Sequence, residues 1–293
     1  MIAQATAFVL AAVAMAIWGS PPVVSRAVSA DVPPIALALA RWVIAFFFLL
    51  PFVWRKLPEE WPKLKQHWRS LAVLASFMTA GSSLSVIAVY FTTATNAVLV
   101  NASQPAITAA LAWVVARSRL SRRQSFGIAL AFLGILVMVF RADLRVLATL
   151  GINVGDLIML GAVVGWSLYA VYLHHRDYVP SSEVLLFVIA VTGCVILIPP
   201  FLVETALRGP LDLKSNVVGA MIYLALFPTL LATFFWNLAV RSLGPNRAAI
   251  FVNLIPLSGA ALAMLFLGER LYAYHLWGAA FVFTGIYFAA RAR

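Results

Sequence analysis

Ten separate runs of apolar residues, each near the length a helix needs to cross a bilayer, constrain this chain more than any other feature. A hydrocarbon core about 30 Å thick takes about 20 residues of helix. The runs cover residues 4–25, 34–54, 70–91, 96–116, 124–140, 155–173, 182–203, 215–238, 246–267 and 273–290. Lipid offers no partner to a free backbone N–H or C=O, so each run is expected to be helical. An all-α, polytopic membrane protein of ten spans follows. The first run lacks a basic segment before it and ends in Trp18-Gly19-Ser20-Pro21-Pro22, unlike a small-x-small cleavage site. It is therefore expected to be a retained span rather than a signal peptide.

The formal net charge is +11, which in a soluble chain would raise nucleic acid as a partner. Here, with 63% hydrophobic residues, the basic groups are confined to short loops, and they orient the chain instead. Arg55, Lys56, Lys63, Lys65 and Arg69 lie between spans 2 and 3; Arg117, Arg119, Arg122 and Arg123 lie between spans 4 and 5. Arg176, Arg241, Arg247, Arg291 and Arg293 join them, giving fourteen on the side that holds both termini. The opposite side has six: Arg26, Arg141, Arg145, Arg208, Lys214 and Arg270. The positive-inside rule places both termini in the cytoplasm of a bacterial inner membrane. Cys194, the only cysteine, lies in an apolar run, which excludes an intrachain disulfide and a thiolate metal cluster.

The chain also repeats itself. At an offset of 151, residues 88–135 align without a gap on 239–286, with fifteen identities in 48 positions. Most pair Ala or Gly, but Pro105/Pro256 and Arg119-Leu120/Arg270-Leu271 are not generic apolar matches. Trp18 and Trp166 extend the match at an offset of 148. Two repeats follow, residues 1–141 and 142–293. Each holds five spans, an odd number, so the second enters the bilayer from the opposite face. Inverted repeats suit a transporter, because two near-equivalent halves can rock about a midplane site and open it to each side in turn.

Trp18-Gly19-Ser20, Ala40-Arg41-Trp42, Pro105 and Leu267-Gly268-Glu269-Arg270-Leu271 together resemble the EamA-type transporters of the drug/metabolite transporter superfamily. The resemblance spans essentially the whole chain and is strongest to the YddG-type exporters of aromatic and other neutral amino acids. It implies a basket-like bundle of two inverted five-helix repeats around a central cavity, with export as the direction. The first repeat departs from the Gly-Glu-Arg-Leu pattern, reading Arg117-Ser118-Arg119-Leu120.

Within the spans, uncharged polar groups and aromatics carry the chemistry. Asn101, Gln104, Pro105 and Thr108 fall on one helical face, and Pro105 leaves the Asn101 carbonyl without its usual donor. That face should look into protein or a wet cavity, and Asn253 with Pro256 repeats the arrangement. Pro105 and Pro256 are expected to act as hinges. Thr229, Thr233, Trp236, Asn237 and Val240 form a stripe in span 8, set by the offset against Ser82 and Ser85 of span 3. Trp18, Tyr90, Trp166, Tyr169 and Trp236 offer flat walls and cation-π faces. Arg41, about seven residues inside span 2, either meets a substrate carboxylate or snorkels to the interface.

These residues are expected to form a mid-membrane site between spans 1, 3, 4, 6, 8 and 9 for a neutral, bulky or aromatic amino acid. No Asp or Glu lies mid-span, which disfavours proton exchange and favours facilitated efflux. Phosphorylated substrates would need more buried cations than Arg41 alone. His67, His174, His175 and His275 sit near span ends without a zinc spacing, and no acid or nucleophile cluster marks an enzyme. No metal or other cofactor is expected, nor a nucleic-acid partner. The bilayer is the solvent, and the chain is expected to act as a monomer. Efflux of organic cations is the alternative activity.

Overall fold

The computed structural model of the protein describes residues 3–92, 94–140, 153–174, 178–209, 211, 213–267 and 272–290. Arg141, Arg145, His175, Arg176, Gly268, Glu269, Arg270, Leu271, Arg291 and Arg293 lie outside the described residues. The rest form helices α1 (Gln4–Trp18), α2 (Pro21–Val28), α3 (Pro34–Val53), α4 (Leu57–Ala88), α5 (Ala94–Ala102), α6 (Gln104–Ala116) and α7 (Arg122–Val139). The second half supplies α8 (Val154–His174), α9 (Ser182–Arg208), α10 (Ser215–Leu224), α11 (Thr233–Leu243), α12 (Pro245–Ala249), α13 (Leu254–Leu267) and α14 (Ala273–Ala290). A π-helical segment (Ala225–Ala232) joins α10 to α11, and a 3₁₀ turn (Ile250–Asn253) joins α12 to α13. Among the described residues, six helical stretches are long and apolar enough to cross a membrane: Gln4–Ser25, Pro34–Val53, Leu57–Ala88, Val154–His174, Ser182–Arg208 and Ser215–Leu243.

Departures from regular helix have local causes. The span expected over 96–116 is two helices, because Pro105 cannot donate to the preceding turn and is seated instead in the first turn of α6, where its missing N–H costs nothing. The span expected over 246–267 breaks in the same way, with the 3₁₀ turn just ahead of Pro256. Pro228 interrupts the ladder of the span expected over 215–238, and the turn widens to a π-helix. There the Thr229 hydroxyl donates to Leu224 O at 2.8 Å, satisfying a carbonyl at a five-residue separation. The basic segment expected as a loop over 55–69 is helical from Leu57 on, as the first part of α4, which bends at His67 (φ −114°, ψ 19°) before entering the apolar run.

The principal packed pairs are α7 with α14, α4 with α8, α3 with α9, and α1 with α11. Exchanging the halves at the 151-residue offset turns α4–α8 into α11–α1 and leaves the other two pairs unchanged. Individual contacts obey the same exchange. Gly127 lies against the carbonyl of Gly285, and Gly134 against that of Gly278, so close that a Cβ would come within 2.5 and 2.6 Å. Rising numbers on α7 meet falling numbers on α14, so the two helices run antiparallel. The ring of Trp42 covers Gly193, its own counterpart at that offset.

The Gly127 contact yields a stability prediction. Gly127→Val would force branched carbons against the Gly285 backbone, and overpacking of this kind costs about 1–3 kcal/mol. The thermal midpoint of the detergent-solubilised protein should fall in Gly127→Val and fall less in Gly127→Ala. Equal midpoints for Gly127→Val and wild type would mean that the helices do not approach this closely.

A central cavity between the two halves

A cavity of about 770 Å³ lies at the centre of the bundle. Its lining includes Trp18, Arg41, Ser82, Asn101, Gln104 and Trp166, six of the residues singled out from the sequence. It extends toward the end of the bundle where α4 ends and α5 and α8 begin, past Ser25, Thr92 and Met159. The broken α5–α6 segment explains how Asn101 and Gln104 both reach it: they flank the interruption, where side chains and backbone can turn inward together. Pro105 is buried beside them.

Trp18 forms the centre of the aromatic floor. Its ring centroid lies 4.7 Å from Trp166 and 5.6 Å from Trp236, both tilted arrangements. Its indole N–H donates to Pro228 O at 2.8 Å, so the carbonyl inside the π-helical segment is satisfied from the opposite half.

Arg41 does not snorkel. Only 4% exposed, it donates from Nε to Thr229 Oγ1 at 3.0 Å and from Nη2 to Ser82 Oγ at 2.6 Å. One hydroxyl comes from each half of the chain, and the Thr229 hydroxyl in turn donates to Leu224 O. Among the described residues, no carboxylate lies within ion-pair distance of the guanidinium.

Ser85, named with Ser82, also lines the cavity, whereas the other aromatics and amides named from the sequence lie outside the lining. Tyr169 and Trp236 are fully buried, and the Tyr169 hydroxyl donates to Asn237 Oδ1 at 2.7 Å. The Tyr90 hydroxyl donates to Val32 O at 3.1 Å. Asn253 is buried behind Val252 and Ile255, which do line the cavity, while Pro256 follows the 3₁₀ turn and is part-buried. The stripe of α11 thus faces the packed core rather than the open space.

Sequence spacing also missed a polar knot at the cavity mouth. The Thr92 hydroxyl donates to Asp156 Oδ1, Asn96 Nδ2 to Asp156 Oδ2 at 2.9 Å, and the Asn153 backbone N–H to the same oxygen at 3.0 Å. The signal was available in Asn153-x-x-Asp156, an Asx-type start to α8.

The opposite end of the bundle is closed by contacts between the halves. The Glu60 carboxylate accepts the Ser181 backbone N–H at 3.0 Å, Lys63 Nζ donates to Val179 O at 3.2 Å, and Lys56 pairs with Glu183 at 3.3 Å. His67 stacks on Tyr178, with ring centroids 5.0 Å apart. Within the second half, Arg241 donates to Pro180 O at 2.7 Å beside them.

Comparison with known proteins matches residues 5–140 and 153–291 to the model of the EamA-like transporter family. A "Probable amino-acid metabolite efflux pump" of Salmonella typhimurium (strain LT2) is 28% identical over 290 residues, 95% of this chain and 92% of that protein. The "Uncharacterized transporter YyaM" of Bacillus subtilis (strain 168) is 27% identical over 207 residues, 70% of this chain and 67% of that protein. A solved crystal structure superposes with a TM-score of 0.78 at 16% identity, covering 98% of this chain and 97% of its own. A likeness at that identity speaks for the fold alone.

Proposed function

The chain belongs to the EamA-like transporter family, and from that premise we propose that it exports neutral amino acids, preferably bulky or aromatic ones, through the central cavity. One observation carries this: a 770 Å³ space between the halves whose lining combines the ring faces of Trp18 and Trp166 with the neutral amides of Asn101 and Gln104. Such a lining can hold an apolar side chain while meeting ammonium and carboxylate groups with neutral donors and acceptors. The printed name of the Salmonella relative points the same way. The ring faces of Trp18 and Trp166 favour a specificity of the YddG type. Organic-cation efflux is the weaker reading, because the one charged side chain in the lining among the described residues, Arg41, is itself a cation.

Ten spans in two inverted repeats, residues 1–141 and 142–293, account for the packing. Reciprocal contacts, Gly127 with Gly285 and Gly134 with Gly278, are what a two-fold axis produces. Because α7 and α14 are antiparallel, that axis lies across the helices, which supports opposite entry of the halves. With the basic loops and both termini in the cytoplasm of the inner membrane, the cavity extends outward and the Glu60–Ser181 end faces the cytoplasm. Transport then proceeds by alternating access as facilitated efflux, carried out by a monomer, with the breaks before Pro105 and Pro256 as hinges.

Cells loaded with a phenylalanine-containing dipeptide test the substrate. Wild type should export phenylalanine, and Trp166→Ala and Asn101→Ala should each slow export severalfold at matched membrane expression. If both variants export at the wild-type rate, the substrate does not use this cavity. Resistance to organic cations without amino-acid export would establish the alternative.

A further inference from the structure

Among the described residues, the cavity lining carries a cation and no anion. A guanidinium has five N–H donors, and Arg41 spends two of them, on Thr229 and Ser82. Three remain without a partner among the described residues, on a side chain that is 4% exposed and lines the cavity. A buried charge left uncompensated is costly, and a planar donor fork matches the paired oxygens of a carboxylate or a phosphate; a single cation suits the singly charged carboxylate. The two hydroxyls fix the guanidinium from its Nε side, so its remaining donors are oriented before any ligand arrives.

Nothing equivalent awaits an ammonium. Among the described residues, no Asp or Glu stands in the lining. Asp156 at the mouth already accepts from Thr92, Asn96 and the Asn153 backbone, and Glu204 accepts from the Ile35 and Ala36 backbone N–H groups at the start of α3. An ammonium inside the cavity would meet neutral amide oxygens and indole faces, in the field of the Arg41 charge.

We infer that the cavity recognises its ligand through a carboxylate seated on Arg41 and does not require an α-amino group, so that amine-free aromatic monocarboxylates are ligands on a par with amino acids. This rests on the transport reading of the same cavity and narrows its chemistry. Arg41 is then a specificity-determining residue, held by Thr229 and Ser82 as positioning residues. Because these come one from each half, a bound carboxylate also acts on a group that bridges the two.

Binding to the purified full-length protein in lipid nanodiscs, read by calorimetry, tests this with phenylalanine, 3-phenylpropanoate and 2-phenylethylamine. Phenylalanine and 3-phenylpropanoate should bind within about threefold of each other, with 2-phenylethylamine at least tenfold weaker and Arg41→Gln at least tenfold weaker for both acids. Arg41→Lys, which keeps the charge without the fork, should recover only part of the loss.

If 3-phenylpropanoate binds and phenylalanine does not, the carboxylate inference stands and the amino-acid reading fails. If phenylalanine binds and 3-phenylpropanoate does not, the amino-acid reading stands and the inference is overturned. Equal binding of the amine overturns it as well, as does unchanged affinity in a folded Arg41→Gln. Should Arg41→Gln not fold, the three-ligand comparison on wild type decides alone.

Discussion

Cysteines placed by Glu60→Cys and Ser181→Cys, joined by a short thiol-reactive linker in a Cys194→Ser background, are expected to reduce transport more than tenfold, with recovery when the linker is cleaved. The native contact is a carboxylate on a backbone N–H at 3.0 Å, on the end of the bundle opposite to the cavity's extension. Around it lie the Lys56–Glu183 pair, the Lys63 bond to Val179 O and the His67–Tyr178 stack. Each joins the first half of the chain to the second. The Lys56 side chain is 49% exposed, and ion pairs at such positions contribute about 0–1 kcal/mol. Contacts this weak close one end of a cavity and still part on the scale of a conformational equilibrium of a few kcal/mol. A covalent link removes that freedom. Cys194 is the only native cysteine, so its replacement confines the reagent to the introduced pair. Undiminished transport in a protein verified as fully linked by mass spectrometry would mean that this end stays shut throughout the cycle, contrary to alternating access.

The spans were the most legible part of this fold, because an apolar run of membrane length leaves the backbone almost no alternative to helix. Their interruptions were less legible. Pro105 and Pro256 marked two of them by sequence position, yet the expected continuous spans became α5–α6 and the α12–3₁₀–α13 series. Pro228 carries the same signal inside the π-helical segment. The α4 extension over residues 57–66 escaped notice because a basic, Glu-containing stretch lacks the apolar signal, although Leu64 is buried within it. For the site, spacing identified which residues face inward but not at what depth or toward which neighbour. Asn101 and Gln104 reach the cavity; Trp236 and Asn237, on an equally plausible stripe, reach only packed protein. A stripe facing a bundle interior has both destinations open, and only the tertiary packing separates them. The partners of Arg41 were hidden for a related reason: Ser82 and Thr229 are 41 and 188 residues away in sequence.

Removal of the Trp18 side chain should produce the largest loss of stability among single substitutions at the cavity. The indole touches Trp166 and Trp236 and donates to Pro228 O, so it ties α1 both to α8 and to the π-helical segment. Trp→Ala changes at packed sites cost about 3–5 kcal/mol, and one face of this ring borders the cavity, which places the cost near the lower figure. At about 2–4 °C per kcal/mol for a chain of this size, the thermal midpoint of Trp18→Ala should drop by on the order of 10 °C. Trp18→Phe separates packing from hydrogen bonding. It keeps most of the ring contact and leaves Pro228 O with Thr233 Oγ1 alone, at the long distance of 3.4 Å. An unmet carbonyl costs about 1–3 kcal/mol when buried, so Trp18→Phe should fall between wild type and Trp18→Ala. If the Phe variant matches wild type, the Pro228 bond adds nothing to stability. If it matches Trp18→Ala, the bond and not the ring holds α1 to the π-helical segment. Export should follow a different order from stability: both variants alter the floor on which an aromatic substrate would rest, so each should slow phenylalanine export at equal expression, even where Trp18→Phe remains well folded.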